Sequence, residues 1–236
     1  MRIAVFPLLT IVFILLVGAT GLQAQSQVDE DRLGGWLMYF YNHSFNDGPW
    51  GIQGDFQLRN YNIGNDLEQL LLRSGFTYSP ENADVTFTLG YANITTGTPG
   101  ESDETTGENR IYQEVLLPHR VGSRFYLTHR FRYEQRFVED QDFRTRYRYN
   151  LFINVPLNQT DLSRGAVYLA LYNELFINGQ LDIGDDRQVQ YFDRNRSYLA
   201  LGYSIRDNLR TQFGYMQQTT VNWGKGQLQL SVHHSW

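Results

Sequence analysis

The stretch "RFYLTHRFRYEQRF" at residues 124–137 alternates between two kinds of side chain. Its even positions carry four arginines with a glutamate, a threonine and a tyrosine, and its odd positions are mostly aromatic or aliphatic. Successive side chains of a β-strand point to opposite faces of the sheet. The stretch therefore predicts a strand with one arginine-rich face and one aromatic face.

The same two-residue alternation recurs along most of the chain, and no segment after residue 24 shows sustained helical spacing of apolar residues. We therefore expect an all-β fold. The candidate strands cover residues 33–45, 50–61, 67–79, 84–96, 109–120, 123–137, 142–156, 165–178, 190–205, 208–219 and 226–236. Their connections predict short turns at one end and longer, acidic loops such as "TTGTPGESDETTGENR" at the other.

The polar faces of these strands carry arginine, glutamine, tyrosine and asparagine, which suit a confined, hydrogen-bonded interior, and the apolar faces often end in aromatic residues. We predict a closed antiparallel up-and-down transmembrane β-barrel. Bacterial barrels normally have an even strand number, so 10 or 12 strands are expected. Residues 33–45 are then a strand with an unrecognised partner or a segment folded against the lumen. A soluble β-sandwich or lipocalin-like carrier is the alternative fold.

The N-terminus has the layout of a secretory signal peptide: Met1 and Arg2, an apolar run to about Val17, and the small-residue stretch "GATGLQAQ". We expect a signal peptide at residues 1–24 and a single barrel domain at residues 25–236. The apolar run is shorter than the ~20 residues of a spanning helix. Export to the outer membrane of a Gram-negative bacterium is predicted.

Nineteen of the 20 basic residues are arginines, and the only lysine is Lys225. Arginine is preferred where a planar cation is held in fixed hydrogen bonds. The alternation assigns twelve arginines to a candidate anion path in the lumen and four carboxylates as their counter-charges, a surplus of eight positive charges. The arginines are Arg59, Arg73, Arg124, Arg130, Arg132, Arg136, Arg144, Arg146, Arg148, Arg194, Arg196 and Arg210, and the carboxylates are Asp55, Glu114, Glu134 and Glu174.

Two functions fit such a lumen. It can be a passive channel or binding barrel for anionic solutes, since rings of arginine select anions in pores, or a structural barrel whose arginines plug the interior. A lipid-modifying enzyme is a third possibility, with candidates His43, Ser44, His233, His234 and Ser235. However, neighbouring residues of a strand face opposite ways. We expect no enzyme, no cofactor and no metal site, and the net charge of −5 suggests no nucleic-acid partner.

The membrane partners are predicted from the C-terminal strand and the acidic loops. "QLQLSVHHSW" resembles the signal that the barrel assembly machinery recognises, although it ends in Trp236 where phenylalanine is usual. Glu101, Asp103, Glu104 and Glu108 are assigned to an external loop that could bridge divalent cations to lipopolysaccharide. Outer-membrane lipid and lipopolysaccharide are therefore the expected surroundings.

Several stretches together resemble an outer-membrane β-barrel family catalogued as domain-of-unknown-function family 2490. They are "LLLRSGFTY", "HRFRYEQRF", "FRTRYRYNL", "YNELFIN", "FDRNRSYLALGY" and "GYMQQ". The resemblance covers nearly all of the chain after the signal peptide. It implies a β-barrel in a Gram-negative outer membrane, and it implies no assigned chemistry.

Overall fold

The structure of the protein, a computed structural model, describes residues 28–100 and 102–236, so the predicted signal peptide and Glu101 lie outside the described residues. Eleven β-strands form one closed barrel. No helix among the described residues is long and apolar enough to cross a membrane. The strands are β1 (Gly34–Ser44), β2 (Trp50–Asn62), β3 (Asn65–Tyr78), β4 (Thr86–Gly97), β5 (Thr105–Val121), β6 (Phe125–Val138), β7 (Arg144–Pro156), β8 (Val167–Asn178), β9 (Phe192–Arg206), β10 (Leu209–Thr219) and β11 (Gly224–Ser235).

The prediction of 10 or 12 strands is wrong, because the segment left unplaced forms the full strand β1. This strand pairs antiparallel with β2 and parallel with β11. In an up-and-down barrel with an odd number of strands, the first and last strands run in the same direction, so only a parallel pair can close the sheet. The barrel is thus antiparallel at every strand pair except this seam.

The strands bury their polar face and expose their apolar face. On β6, Arg132, Glu134 and Arg136 are buried, whereas Phe131 and Phe137 are 49% and 46% exposed. A water-soluble sheet shows the opposite arrangement, with its apolar face covered and its polar face solvated. The two faces predicted from the alternation are therefore present, with the arginine-rich face inside.

Two inward tyrosines narrow the lumen by lying against glycines of the neighbouring strand. Tyr112 is paired with Gly90, and Tyr168 with Gly202. A Cβ atom added at either glycine would lie 2.2 Å from Cζ of the tyrosine ring. Only glycine therefore allows these rings to lie flat across the wall.

The barrel has two ends, which we name after the predicted connections. The turn end carries the links at residues 45–49, 79–85, 122–124, 157–166 and 207–208, and the loop end carries residues 63–64, 98–104, 139–143, 179–191 and 220–223 together with the start of β1. The ends differ less in link length than the sequence predicted. β4 extends to Gly97 and β5 begins at Thr105, so most of the predicted long acidic loop is strand.

The parallel register of β1 and β11 predicts that cysteines introduced in place of Leu37 and Leu230 form a disulfide. These residues face each other on the outer surface, and paired strands bring Cα atoms within the range that a disulfide spans. Because the chain has no native cysteine, the oxidised Leu37→Cys/Leu230→Cys protein should show one band shift on a non-reducing gel.

The control pair is Leu37→Cys with Leu228→Cys, which is displaced by two residues along the same face of β11. It should form the bond poorly. Equal cross-linking of both pairs, or of neither, would rule out the parallel register.

Candidate functional site: the barrel interior

Glu134 on β6 is at the centre of the interior charges. Its side chain is 1% exposed and accepts hydrogen bonds from Arg146 Nη2 and Arg148 Nη1, both at 2.6 Å. Arg110 and Arg132 approach its two carboxylate oxygens at 3.8 and 3.9 Å. One carboxylate is thus surrounded by four guanidiniums, and each of the two short contacts is a charge-assisted bond in a region that water scarcely reaches.

The contacts extend from Glu134 to both neighbouring carboxylates. Arg148 Nε also donates to Glu174 at 2.9 Å, and Glu174 accepts from Arg130 Nη2 at 2.6 Å. In the other direction, Arg146 Nη1 donates to Asp193 at 2.8 Å. These residues form a continuous chain of alternating charges across β6, β7, β8 and β9, which we call the arginine–carboxylate network.

A second bridge joins Arg110 and Arg136, which face each other on β5 and β6. Like charges in directly opposed positions destabilise a sheet. Glu108 accepts from Arg110 Nη2 at 2.6 Å and from Arg136 Nη2 at 2.9 Å. The assignment of Glu108 to an external loop is therefore wrong, because β5 begins three residues earlier and turns this carboxylate inward.

The remaining inward acids of the prediction are also paired. Asp55 accepts two hydrogen bonds from Arg73 Nε and one from Arg73 Nη2, at 2.9–3.1 Å. Glu114 accepts from Arg132 Nε at 2.6 Å and from Gln53 Nε2 at 2.9 Å. All four predicted counter-charges therefore bind arginines of the interior.

Aromatic rings stack on interior arginines, both those bound by acids and Arg59 and Arg196, which form no ion pair with the described residues. Two guanidiniums stack on the Trp36 ring: Cζ of Arg59 is 3.9 Å and Cζ of Arg196 is 4.9 Å from the ring centroid. Four guanidiniums lie within 6 Å of the Phe176 ring, and Arg148 is nearest at 4.4 Å. Such stacking is favourable for desolvated arginine.

Eleven of the twelve arginines in the predicted path point into the barrel. They are Arg59, Arg73, Arg130, Arg132, Arg136, Arg144, Arg146, Arg148, Arg194, Arg196 and Arg210. Arg124 is the exception: it precedes β6, is exposed, and donates to the carbonyl oxygens of Pro156 and Leu157 at 3.3 Å. Its assignment to the lumen is wrong, because the strand begins one residue later and the side chain folds over a turn.

The prediction missed five inward charges: Arg110, Lys225, Glu68, Glu108 and Asp193. Glu68 and Asp193 are skipped in the strand registers, at the bulges opposite Arg59/Asn60 and Phe176/Ile177. A bulge inserts a residue and breaks the two-residue alternation, so alternation alone could not assign these acids. Thirteen inward cations now face seven inward carboxylates among the described residues, a surplus of six and not eight.

A cavity of about 420 Å³ extends from the network to the turn end, and we call it the vestibule. Arg210 and His233, paired across β10 and β11, lie on its wall. His233 stacks on Phe40 at 4.8 Å between ring centroids and contacts Ser231 Oγ through Nε2 at 3.0 Å. Arg210 makes no ion pair or side-chain hydrogen bond with any other described residue. The vestibule thus offers a free guanidinium beside aromatic rings.

The loop end is covered by the segment that leads into β1. Lys225, 1% exposed, donates to the carbonyl oxygens of Asp29 and Arg32, the latter at 2.7 Å. The backbone N–H of Gly224 donates to Glu30 at 3.0 Å. The single lysine therefore holds this segment against the inner wall of β11.

The histidines proposed for catalysis do not converge. His43 and His234 lie on the outer face of the seam, where both rings contact Trp236, whereas His233 points inward. Ser231 contacts His233 because residues two apart share a face, a relation that adjacent pairs do not have. No group of three or more potential metal ligands occurs in the described residues.

Glu134→Gln should lower the free energy of unfolding by ~3–5 kcal/mol, because removing one partner leaves buried guanidiniums uncompensated. Urea unfolding in detergent, followed by tryptophan fluorescence, measures the change. Glu81→Gln, in an exposed turn, is the matched control and should stay within ~0.5 kcal/mol of the wild type. Equal stability of the two variants would contradict the central role of Glu134.

The comparisons with known proteins agree with the resemblance noted in the sequence. Searches of curated proteins and of solved structures find no match. A family model described as "Protein of unknown function (DUF2490)" matches residues 33–229, which span the barrel from its first strand into its last. The chain therefore belongs to the DUF2490 family.

Proposed function

We propose that this protein is an outer-membrane β-barrel that is closed by the arginine–carboxylate network and binds small organic acids in its vestibule. The observation that carries the proposal is the guanidinium of Arg210, which has no ion pair or side-chain hydrogen bond in the described residues and lines a cavity of about 420 Å³ next to the arginine–carboxylate network. Of the two forms of the sequence hypothesis, this favours a binding barrel over a passive channel.

The outer surface supports the membrane location. Large apolar side chains on strands all around the barrel point outward, including Leu37, Phe76, Leu89, Leu199 and Phe213, which are 55–69% exposed. An apolar surface of this extent would promote aggregation in water. Lipid chains would cover it in the way they cover the outer band of bacterial barrels.

The network argues against free ion flow through the lumen. Its carboxylates are at most 16% exposed, and most of its contacts are short and hydrogen-bonded. Leaving one partner of such a buried pair uncompensated costs ~3–5 kcal/mol, and an open path would require several pairs to separate at once. The interior at this level is therefore filled by the protein's own side chains, as in small barrels.

Reconstituted protein should show no steady conductance in a planar bilayer under a KCl gradient, because the network blocks the lumen. Membrane insertion is checked separately: the same protein preparation is reconstituted into liposomes, and alkaline carbonate should not extract the protein from these liposomes. Extraction would contradict the membrane location.

A stable conductance with a reversal potential favouring chloride would instead support the passive channel. In that case Arg132→Glu and Arg146→Glu should reduce the anion preference, since both arginines lie in the network.

The vestibule matches an acid with an apolar body. A carboxylate would bind the fork of Arg210, and rings such as Phe40, Phe152 and Tyr172 would contact the remainder. Of the other arginines that line the cavity, Arg59 and Arg196 stack on Trp36, and the rest are ion-paired: Arg73, Arg130, Arg132 and Arg148. The free cation and the aromatic wall therefore favour small organic acids over highly charged phosphorylated solutes.

We infer that the turn end faces the periplasm and the loop end the exterior. The links of the loop end carry more acidic residues, among them Asp103, Glu104, Asp182, Asp185 and Asp186. In bacterial barrels the shorter turns are periplasmic. Contacts with lipopolysaccharide at the loop end and recognition of the last strand by the assembly machinery remain predictions.

4-Fluorobenzoate is a suitable probe of the vestibule, and its ¹⁹F line width reports binding. Wild-type protein should broaden the signal, and Arg210→Gln should weaken binding at least ~10-fold, because a charge-assisted pair contributes about 1.5–3 kcal/mol. Arg164→Gln, an exposed arginine at the same end, should bind as the wild type does. Equal binding by both variants would place the ligand outside the vestibule.

We propose no catalytic role. His233 and Ser231 are in contact, but no described residue forms a hydrogen bond with Nδ1 of His233. A nucleophile and base normally need a third group that orients the base. The pair is better explained as part of the polar wall of the vestibule.

A further inference from the structure

A small void of about 40 Å³ lies within the arginine layer, next to the vestibule, and the two spaces share Arg59, Arg73, Arg148 and Arg196 in their walls. Eight of its eleven lining residues are arginines, and none is a carboxylate. Seven of these arginines are at most 8% exposed; the eighth is Arg194. We call this space the arginine void. It is a polar space that bulk water barely reaches.

The charges around the void do not balance. Six of its eight arginines form ion pairs, with five carboxylates in total: Asp55, Glu108, Glu134, Glu174 and Asp193. Three positive charges are left over. Buried cations that lie close together repel one another strongly, because the interior screens them weakly.

Arg196 is one of the arginines around the void whose positive charge no carboxylate balances. Its side chain lines the void, is 5% exposed, and makes one hydrogen bond, from Nε to Gln218 at 2.7 Å. Its two terminal nitrogens have no hydrogen-bond partner in the described residues. The Nε atom of Arg194, which also lines the void, is buried and has no hydrogen-bond partner in the described residues. A buried donor of this kind is rare in proteins unless an ion or water satisfies it.

We propose that the arginine void binds one small inorganic anion, such as chloride, as a resident counter-ion of the barrel wall. The void has room for an ion of about the size of a water molecule, whose share of liquid volume is about 30 Å³. It is too small for the organic acids proposed for the vestibule. The anion neutralises part of the surplus charge and accepts the free N–H groups, so it stabilises the closed barrel. The site is independent of the proposed vestibule ligand.

The thermal unfolding midpoint of the detergent-solubilised protein tests this proposal. It is measured on the Arg210→Gln protein, whose vestibule lacks the free guanidinium, in sodium chloride and in sodium gluconate at equal ionic strength, because gluconate is too large for the void. Chloride should raise the midpoint above its value in gluconate, and the difference should grow with the logarithm of the chloride concentration once the site is filled. Identical midpoints in the two salts would overturn the proposal, since they indicate general screening alone.

Variants locate the effect. Arg196→Gln should reduce the affinity for chloride at least ~10-fold because a free buried cation is lost, and Arg164→Gln in an exposed turn should not change it. An unchanged chloride response in Arg196→Gln would overturn the site assignment. If Arg196→Gln does not fold, the ³⁵Cl line width of a chloride solution is measured with wild-type protein. Line broadening that added bromide reverses would support the site, and the absence of broadening would reject it.

Discussion

The contacts that Glu134 makes with Arg146 and Arg148 are the interaction on which the rest of the interior depends. A wall of inward arginines is unstable by itself, because like charges on neighbouring strands repel in a poorly screened space. Glu134, Glu108 and Glu174 each bind two guanidiniums, and they link strands that would otherwise repel. These acids turn repulsion between strands into attraction, and the barrel can close around them.

The same pairing divides the interior into regions with different chemistry. Where acids and arginines match, the side chains fill the lumen; where arginines exceed acids, a small void remains. Towards the turn end, rings and amides replace most of the charges, and a wider cavity appears. The size of each space and the number of free donors, more than the total arginine count, determine which anions the barrel can hold.

Alternation in the sequence was enough to predict the strands and their two faces, because burial of one face imposes a period of two. Alternation does not assign residues at which the period of two is interrupted, such as Glu68 and Asp193 at bulges. It also does not assign Glu108, because the first residues of β5 are polar and resemble a loop in the sequence. The expected strand number is wrong because the even count of bacterial single-chain barrels does not hold for this chain, which closes with eleven strands. Which carboxylate each arginine binds depends on how far its side chain extends across the neighbouring strands, and the alternation of residues along the chain carries no information on this.

The parallel seam also determines how the barrel can be built. Every other strand pair joins segments that are neighbours along the chain, whereas the seam joins Gly34–Ser44 to Gly224–Ser235. Contacts between such distant segments form late, because closing a long loop costs conformational entropy. Until β11 is in place, the growing sheet has two open edges that could pair with other chains. The last strand therefore decides whether the sheet becomes a barrel or aggregates.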